Sequence, residues 1–85
     1  SGTARQKLIT IILICAKRFG EIEKGEIKLK LKLTHQDLAH MAGLSRETVS
    51  REIIVLKEKN LINYSNSSFT LNNIADLEHE LVSSQ

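Results

Sequence analysis

The hydrophobic positions of this chain change period several times, and each change marks an element. Leu8, Ile12, Cys15, Ala16 and Phe19 recur at helical spacing. Thr3, with Gln6 three residues on, has the form of a capping box, and Gly20 offers a left-handed stop. Together they predict a first helix over Ala4 to Phe19. Ile9, Leu13 and Ile14 fall outside its stripe, so this helix is apolar on more than one side, the mark of deep burial or of a shared neighbour. We expect these three residues to face a neighbouring segment that is not among these 85 residues. Glu23-Lys24-Gly25-Glu26 reads as a turn. Ile27, Leu29, Leu31 and Leu33 then alternate with Lys28, Lys30 and Lys32, which predicts a half-buried strand with a solvated lysine face.

Thr34 and Asp37 open a short second helix that runs to about Ala42, where Gly43 ends it. Ser45, with Thr48 at the third helical position, caps a third helix whose apolar stripe is Val49, Ile53 and Leu56 and which stops near Asn60. Leu61 to Tyr64 and Phe69 to Leu71 are short strands around the polar turn Ser65-Asn66-Ser67-Ser68. Asn73 caps a last helix with the narrow stripe Ile74, Leu77 and Leu81. Two helices joined by a glycine-containing turn of about four residues form a helix-turn-helix. Ala39 is small where they should cross, Gly43 permits the backbone angle of the turn, and Leu38, Leu44 and Val49 fill the space between them. The expected fold is mainly α with a small β component. It is a winged helix-turn-helix in a single domain over 1–85, with the helix-turn-helix at 34–59 and the wing at about 61–71.

Composition narrows the class. Eighty-five residues at 41% hydrophobic make one small core, and 4% aromatic without tryptophan leaves little for a base-stacking platform. Cys15 is the only cysteine, which excludes an intrachain disulfide and suits a reducing compartment. The apolar stretch Leu8 to Ala16 is about half the length that spans a bilayer, so a soluble cytoplasmic protein is expected. Charge is unevenly spread. Residues 1–60 hold all 12 Lys and Arg against seven acids, a balance of +5, while residues 61–85 hold three acids and no base, a balance of −3. A basic body with an acidic end is compatible with a polyanionic partner.

The third helix carries the chemistry. At about 100° per residue, Arg46, Glu47, Ser50 and Arg51 share an arc away from Val49, Ile53 and Leu56. Arginine donates a fork to guanine, glutamate accepts from cytosine, and serine can take either role. Ser45, Thr48 and the amides of the helix N-terminus can hold a phosphate. Glu47 and Arg51 are also spaced as an exposed ion pair, the alternative to base reading.

The run Ser45-Arg46-Glu47-Thr48-Val49-Ser50-Arg51, with Leu33-Thr34, Gln36-Asp37-Leu38-Ala39, Gly43, Leu56 and Asn60-Leu61-Ile62, resembles the C-terminal domain of the Crp/Fnr family of bacterial transcription regulators. The likeness covers about residues 4–80. By that resemblance Arg46, Glu47 and Arg51 would read a TGTGA-like half-site, and Glu47, Ser50 and Arg51 match the TTGAT-like pattern of the Fnr branch. Both patterns are present. Gln36, Ser45 and Thr48 would contact phosphates, joined by Thr34 and His35 at the start of the second helix and by Ser67 at the wing tip. The resemblance implies double-stranded DNA as partner, a homodimer in the full-length protein, and RNA polymerase as a further candidate partner. The sensor barrel and dimerisation helix of such regulators are not among these 85 residues, so no cofactor is expected in this domain. Two residues depart from the pattern. Glu52 borders the apolar stripe and Ile54 lies one turn beyond the reading face, so either the helix is rotated or Glu52 has a partner at the core's edge.

His35 and His40 are five apart, too far around a helix to share a metal, and His79 is distant in sequence, so no metal site is expected. Cys15 reads as a small core residue. The lysine strand reads as a solvated face that discourages edge pairing. No nucleophile–base pair, carboxylate dyad or phosphate-cradling glycine loop is present, so a non-enzyme is expected. The competing class is a winged-helix protein-interaction module, whose docking face would carry more apolar residues than Arg46, Glu47, Ser50 and Arg51 do.

Overall fold

In a computed structural model the chain is described over residues 2–83. The ends of the expected 1–85 unit, Ser1, Ser84 and Gln85, lie outside the described residues. The elements are α1 (Ala4–Phe19), β1 (Gly20–Glu23), β2 (Glu26–Leu29), α2 (His35–Ala42), α3 (Arg46–Glu58), β3 (Ile62–Ser65), β4 (Ser68–Leu71) and α4 (Ile74–Ser83). The strands form one antiparallel sheet in the order β1-β2-β4-β3. Both hairpins close through two-residue turns with positive φ, Lys24-Gly25 in the first and Asn66-Ser67 in the second, the backbone that matches strand twist.

The helices begin where their caps dictate. Thr3 and Gln6 exchange reciprocal hydrogen bonds at the start of α1, and Thr34 and Asp37 do the same at α2. The Thr34 amide, followed by its hydroxyl, bonds the Asp37 carboxylate and holds its pKa below the ordinary value. Ser45 accepts from the Thr48 amide at 3.1 Å, and the Asn73 side chain accepts from the amides of Ala75 and Asp76.

Four local expectations are corrected or extended. Gly20 is extended (φ −88, ψ 145) rather than left-handed. A Cβ there would lie 2.4 Å from the Ala16 carbonyl oxygen and 2.6 Å from Ile27 Cγ2, so glycine serves close approach of α1 to β2. The turn at 23–26 forms as expected but closes a hairpin, because residues 20–23, not expected as a strand, pair as β1. The alternating segment forms a strand only over Glu26–Leu29, since its ladder with β1 ends at Leu29 and β4 accompanies only Ile27 and Lys28. Beyond it the burial alternation persists at Leu33 without a ladder, and the Leu33 amide instead donates to the Ser67 carbonyl at 2.8 Å.

The fourth concerns α1. Ile9 (0% exposed) and Leu13 (9%) belong to the core, whereas Phe19 (44%) is exposed. The helix packs against α4 as well as α2, α3 and β2, so two of its faces are enclosed by this chain's own elements. Ile14, at 46%, is exposed as expected. Cys15 is buried, which pushes its thiol pKa up and suits a core residue. Among the described residues no helix is long and apolar enough to cross a membrane.

Candidate nucleic-acid interface

Gly43 adopts the left-handed conformation (φ 69, ψ 37), and its amide donates to the Ala39 carbonyl, so α2 ends within the turn and α3 starts three residues later. Leu38, Ala39 and Val49 are buried between the two helices, with Leu44 packed against them. Val49, Ile53 and Leu56 all face inward at 3% exposure or less, which fixes the rotation of α3 about its axis. Arg46, Glu47 and Arg51 are therefore exposed, with Ser50 half-buried beside them.

Glu52 does find a partner. The Arg5 guanidinium donates to it at 2.7 Å and reaches Glu80 at 3.4 Å, and Lys59 approaches Glu80 at 3.4 Å. The Glu52 hydrogen bond is the largest cause raising the Arg5 pKa. This network ties α1, α3 and α4 together and answers the departure at Glu52 without a rotated helix. Ile54 stands 55% exposed.

The residues predicted from the sequence to read bases differ in how they are held. Arg51 Nη2 donates to Thr48 Oγ1 at 3.1 Å, and the Ser45 and Thr48 hydroxyls lie 2.9 Å apart. One of those two hydroxyl protons serves their mutual bond and the other is left for an outside acceptor such as phosphate. Glu47 makes no ion pair with Arg51 among the described residues, so its carboxylate remains available as an acceptor. Ser50 Oγ donates to the Arg46 carbonyl at 3.0 Å and meets His35 Nδ1 at 2.6 Å.

The sequence-predicted residues fall into three groups. Thr34, His35, Gln36, Arg46 and Ser50 line one shallow cleft of about 250 Å³. Ser45, Thr48 and Arg51 form the hydrogen-bonded cluster just described, with Glu47 beside it on the same turn. Ser67 stands apart in the wing turn, but its carbonyl bonds the Leu33 amide, one residue before the Thr34 cap. The lysine face is only partly free: Lys30 pairs with Glu21 at 3.7 Å and Glu23 at 3.5 Å.

One residue of the site was missed. Tyr64, on β3, donates its hydroxyl to the Leu33 carbonyl at 2.6 Å and lays its ring 5.3 Å from that of His35 and 4.4 Å from that of Phe69. It braces the wing against the start of α2. The available signal was a lone tyrosine, an aromatic with a polar tip, in a short strand. Among the described residues no group of three or more His, Cys, Asp or Glu side chains is placed to hold a metal ion.

A capped helix pair with a left-handed glycine turn, a polar exposed N-terminal half on the second helix and a hairpin beside it define a winged helix-turn-helix, a class of DNA-binding domain. The chain belongs to the Crp-like helix-turn-helix domain family, whose model matches residues 6–80. It is 32% identical to the global nitrogen regulator of Synechocystis sp. over 74 residues, covering 87% of this chain and 33% of that protein. It is 34% identical to the transcriptional activator protein FnrL of Cereibacter sphaeroides over 64 residues, 71% of this chain and 26% of that protein. A CRP/FNR-family transcriptional regulator from Thermus thermophilus has the same fold, with a TM-score of 0.85 at 24% identity over 99% of this chain and 43% of its own. This chain thus spans a third or less of the length of these two curated relatives.

Proposed function

We propose that this domain is the DNA-reading module of a bacterial Crp/Fnr-like regulator, with α3 in the major groove of a TGTGA-like or TTGAT-like half-site. The observation that carries the reading is the exposed Arg46–Glu47–Arg51 face, on which Glu47 is not neutralised by Arg51 and Arg51 is already oriented by Thr48. Arg46, Glu47, Ser50 and Arg51 meet base edges. Thr34, His35, Gln36, Ser45, Thr48 and the wing residue Ser67 meet phosphates. The module performs no catalytic step and takes no cofactor. It acts in the cytoplasm within a full-length homodimer, with RNA polymerase as a further partner, while signal sensing belongs to a sensor domain outside these residues. A protein-docking role for the same face is disfavoured by its polarity, Ile54 being its single large exposed apolar residue.

Titration of the domain against half-site duplexes at low and moderate salt tests this. Binding that weakens steeply with salt is expected, because each phosphate contact displaces counterions. Arg51→Ala and Glu47→Ala should each flatten base preference at one position, by about 1–3 kcal/mol of discrimination. A folded domain that binds no duplex at low salt overturns the reading.

A further inference from the structure

Ser50 stands among the base-reading residues, yet its hydroxyl is engaged from two sides within the protein. His35 Nδ1 lies 2.6 Å from Oγ across the helix-turn-helix, and the Arg46 carbonyl lies 3.0 Å away, one turn back in α3. A serine hydroxyl has one proton and two lone pairs. With the His35 proton on Nδ1, the ring donates to Oγ and the hydroxyl proton goes to the Arg46 carbonyl. With the proton on Nε2, the hydroxyl donates to Nδ1. In either tautomer the one proton of Ser50 is taken inside the protein, and only a lone pair faces outward.

The ring is held in place for this. Tyr64 stacks against it at a 31° tilt while anchored to the Leu33 carbonyl, and the Thr34–Asp37 capping box fixes the helical turn that carries His35. We propose that His35 is a specificity-determining positioning residue, which turns Ser50 from a contact of either polarity into an acceptor only. An acceptor in the major groove selects a base that shows an exocyclic amino group there, adenine or cytosine. It disfavours guanine and thymine, whose polar atoms in that groove are all acceptors. The assignment rests on the DNA-reading function above and names what one of its residues reads.

The test is a duplex half-site library bound by the unaltered domain and by variants, with folding checked by thermal unfolding. Ser50→Ala locates the position that Ser50 reads as the one where base preference flattens. There the unaltered domain should favour adenine or cytosine about threefold to tenfold, the worth of one hydrogen bond. His35→Ala should reduce that preference to about twofold or less, with the preferences read by Glu47 and Arg51 kept. His35→Asn, whose amide can still engage Oγ, should restore it; loss of a phosphate contact or of fold stability at His35 would instead lower affinity for every sequence alike and leave that preference in place. Preference for guanine or thymine at that position, an unchanged preference in His35→Ala, or no flattened position in Ser50→Ala overturns the proposal, the last of these even where His35→Ala fails to fold. Absence of all duplex binding by the unaltered domain instead defeats the DNA-reading function, and this assignment falls with it.

Discussion

The exposed surfaces of the helix-turn-helix and of the α1–β1 region are built from different residues. Around the start of α3 the exposed side chains are Arg46, Glu47 and Arg51, and hydrogen bonds among Ser45, Thr48 and Arg51 orient part of that surface before any ligand arrives. Along α1 and β1, Ile14, Phe19 and Ile22 stand 46%, 44% and 80% exposed. Each such side chain would gain about 1.5–3 kcal/mol if fully buried, so this region leaves apolar surface unused by the fold. The difference lies in what each helix packs against. α3 buries one narrow stripe and, apart from the exposed Ile54, presents polar groups elsewhere. α1 is enclosed on two faces, and its apolar character continues past the part that the chain itself covers.

That contrast makes a ranked set of predictions. The largest effect belongs to Ile9, which is fully buried: Ile9→Ala should cost about 2–5 kcal/mol in denaturant unfolding, and a loss well under 1 kcal/mol would put it outside the core. Gly20→Ala should follow at about 1–3 kcal/mol, because the new Cβ meets a carbonyl oxygen that belongs to helix backbone. A variant as stable as the parent would show that the junction between α1 and β1 gives way easily. On the other region, Ser45→Ala should remove about 1 kcal/mol through the lost cap and weaken all duplexes alike. A change in base preference would instead make Ser45 a reader. Smallest is Ile14→Lys, within about 0.5 kcal/mol as for an exposed site; a loss of several kcal/mol would erase the distinction between the two faces of α1.

The helix-turn-helix was legible because its signals are local. Thr34 and Asp37, Gly43, Ser45 and Thr48 act within three or four residues of one another, and the Val49–Ile53–Leu56 period alone orients the exposed arc of α3. Elsewhere the same kind of reasoning failed where the decisive partner was remote. Glycine after a helix suggests a left-handed stop, but Gly20 is required by Ile27 on a neighbouring strand as well as by the helix carbonyl. Strict alternation over 27–33 promised a long strand, yet a ladder exists only as far as another strand accompanies it.

By itself, then, the sequence determined the helix boundaries, the turn and the exposed arc of α3, since caps and periodicity are properties of contiguous residues. Only the tertiary structure decided that Ile9 and Leu13 are core, because that depends on α4 and the other elements closing over α1. It also decided that Glu52 meets Arg5, 47 residues away, and that His35 engages Ser50 under the ring of Tyr64. A hydrogen bond needs two groups within about 3 Å of each other, and spacing along the chain carries no such distance once the chain has turned.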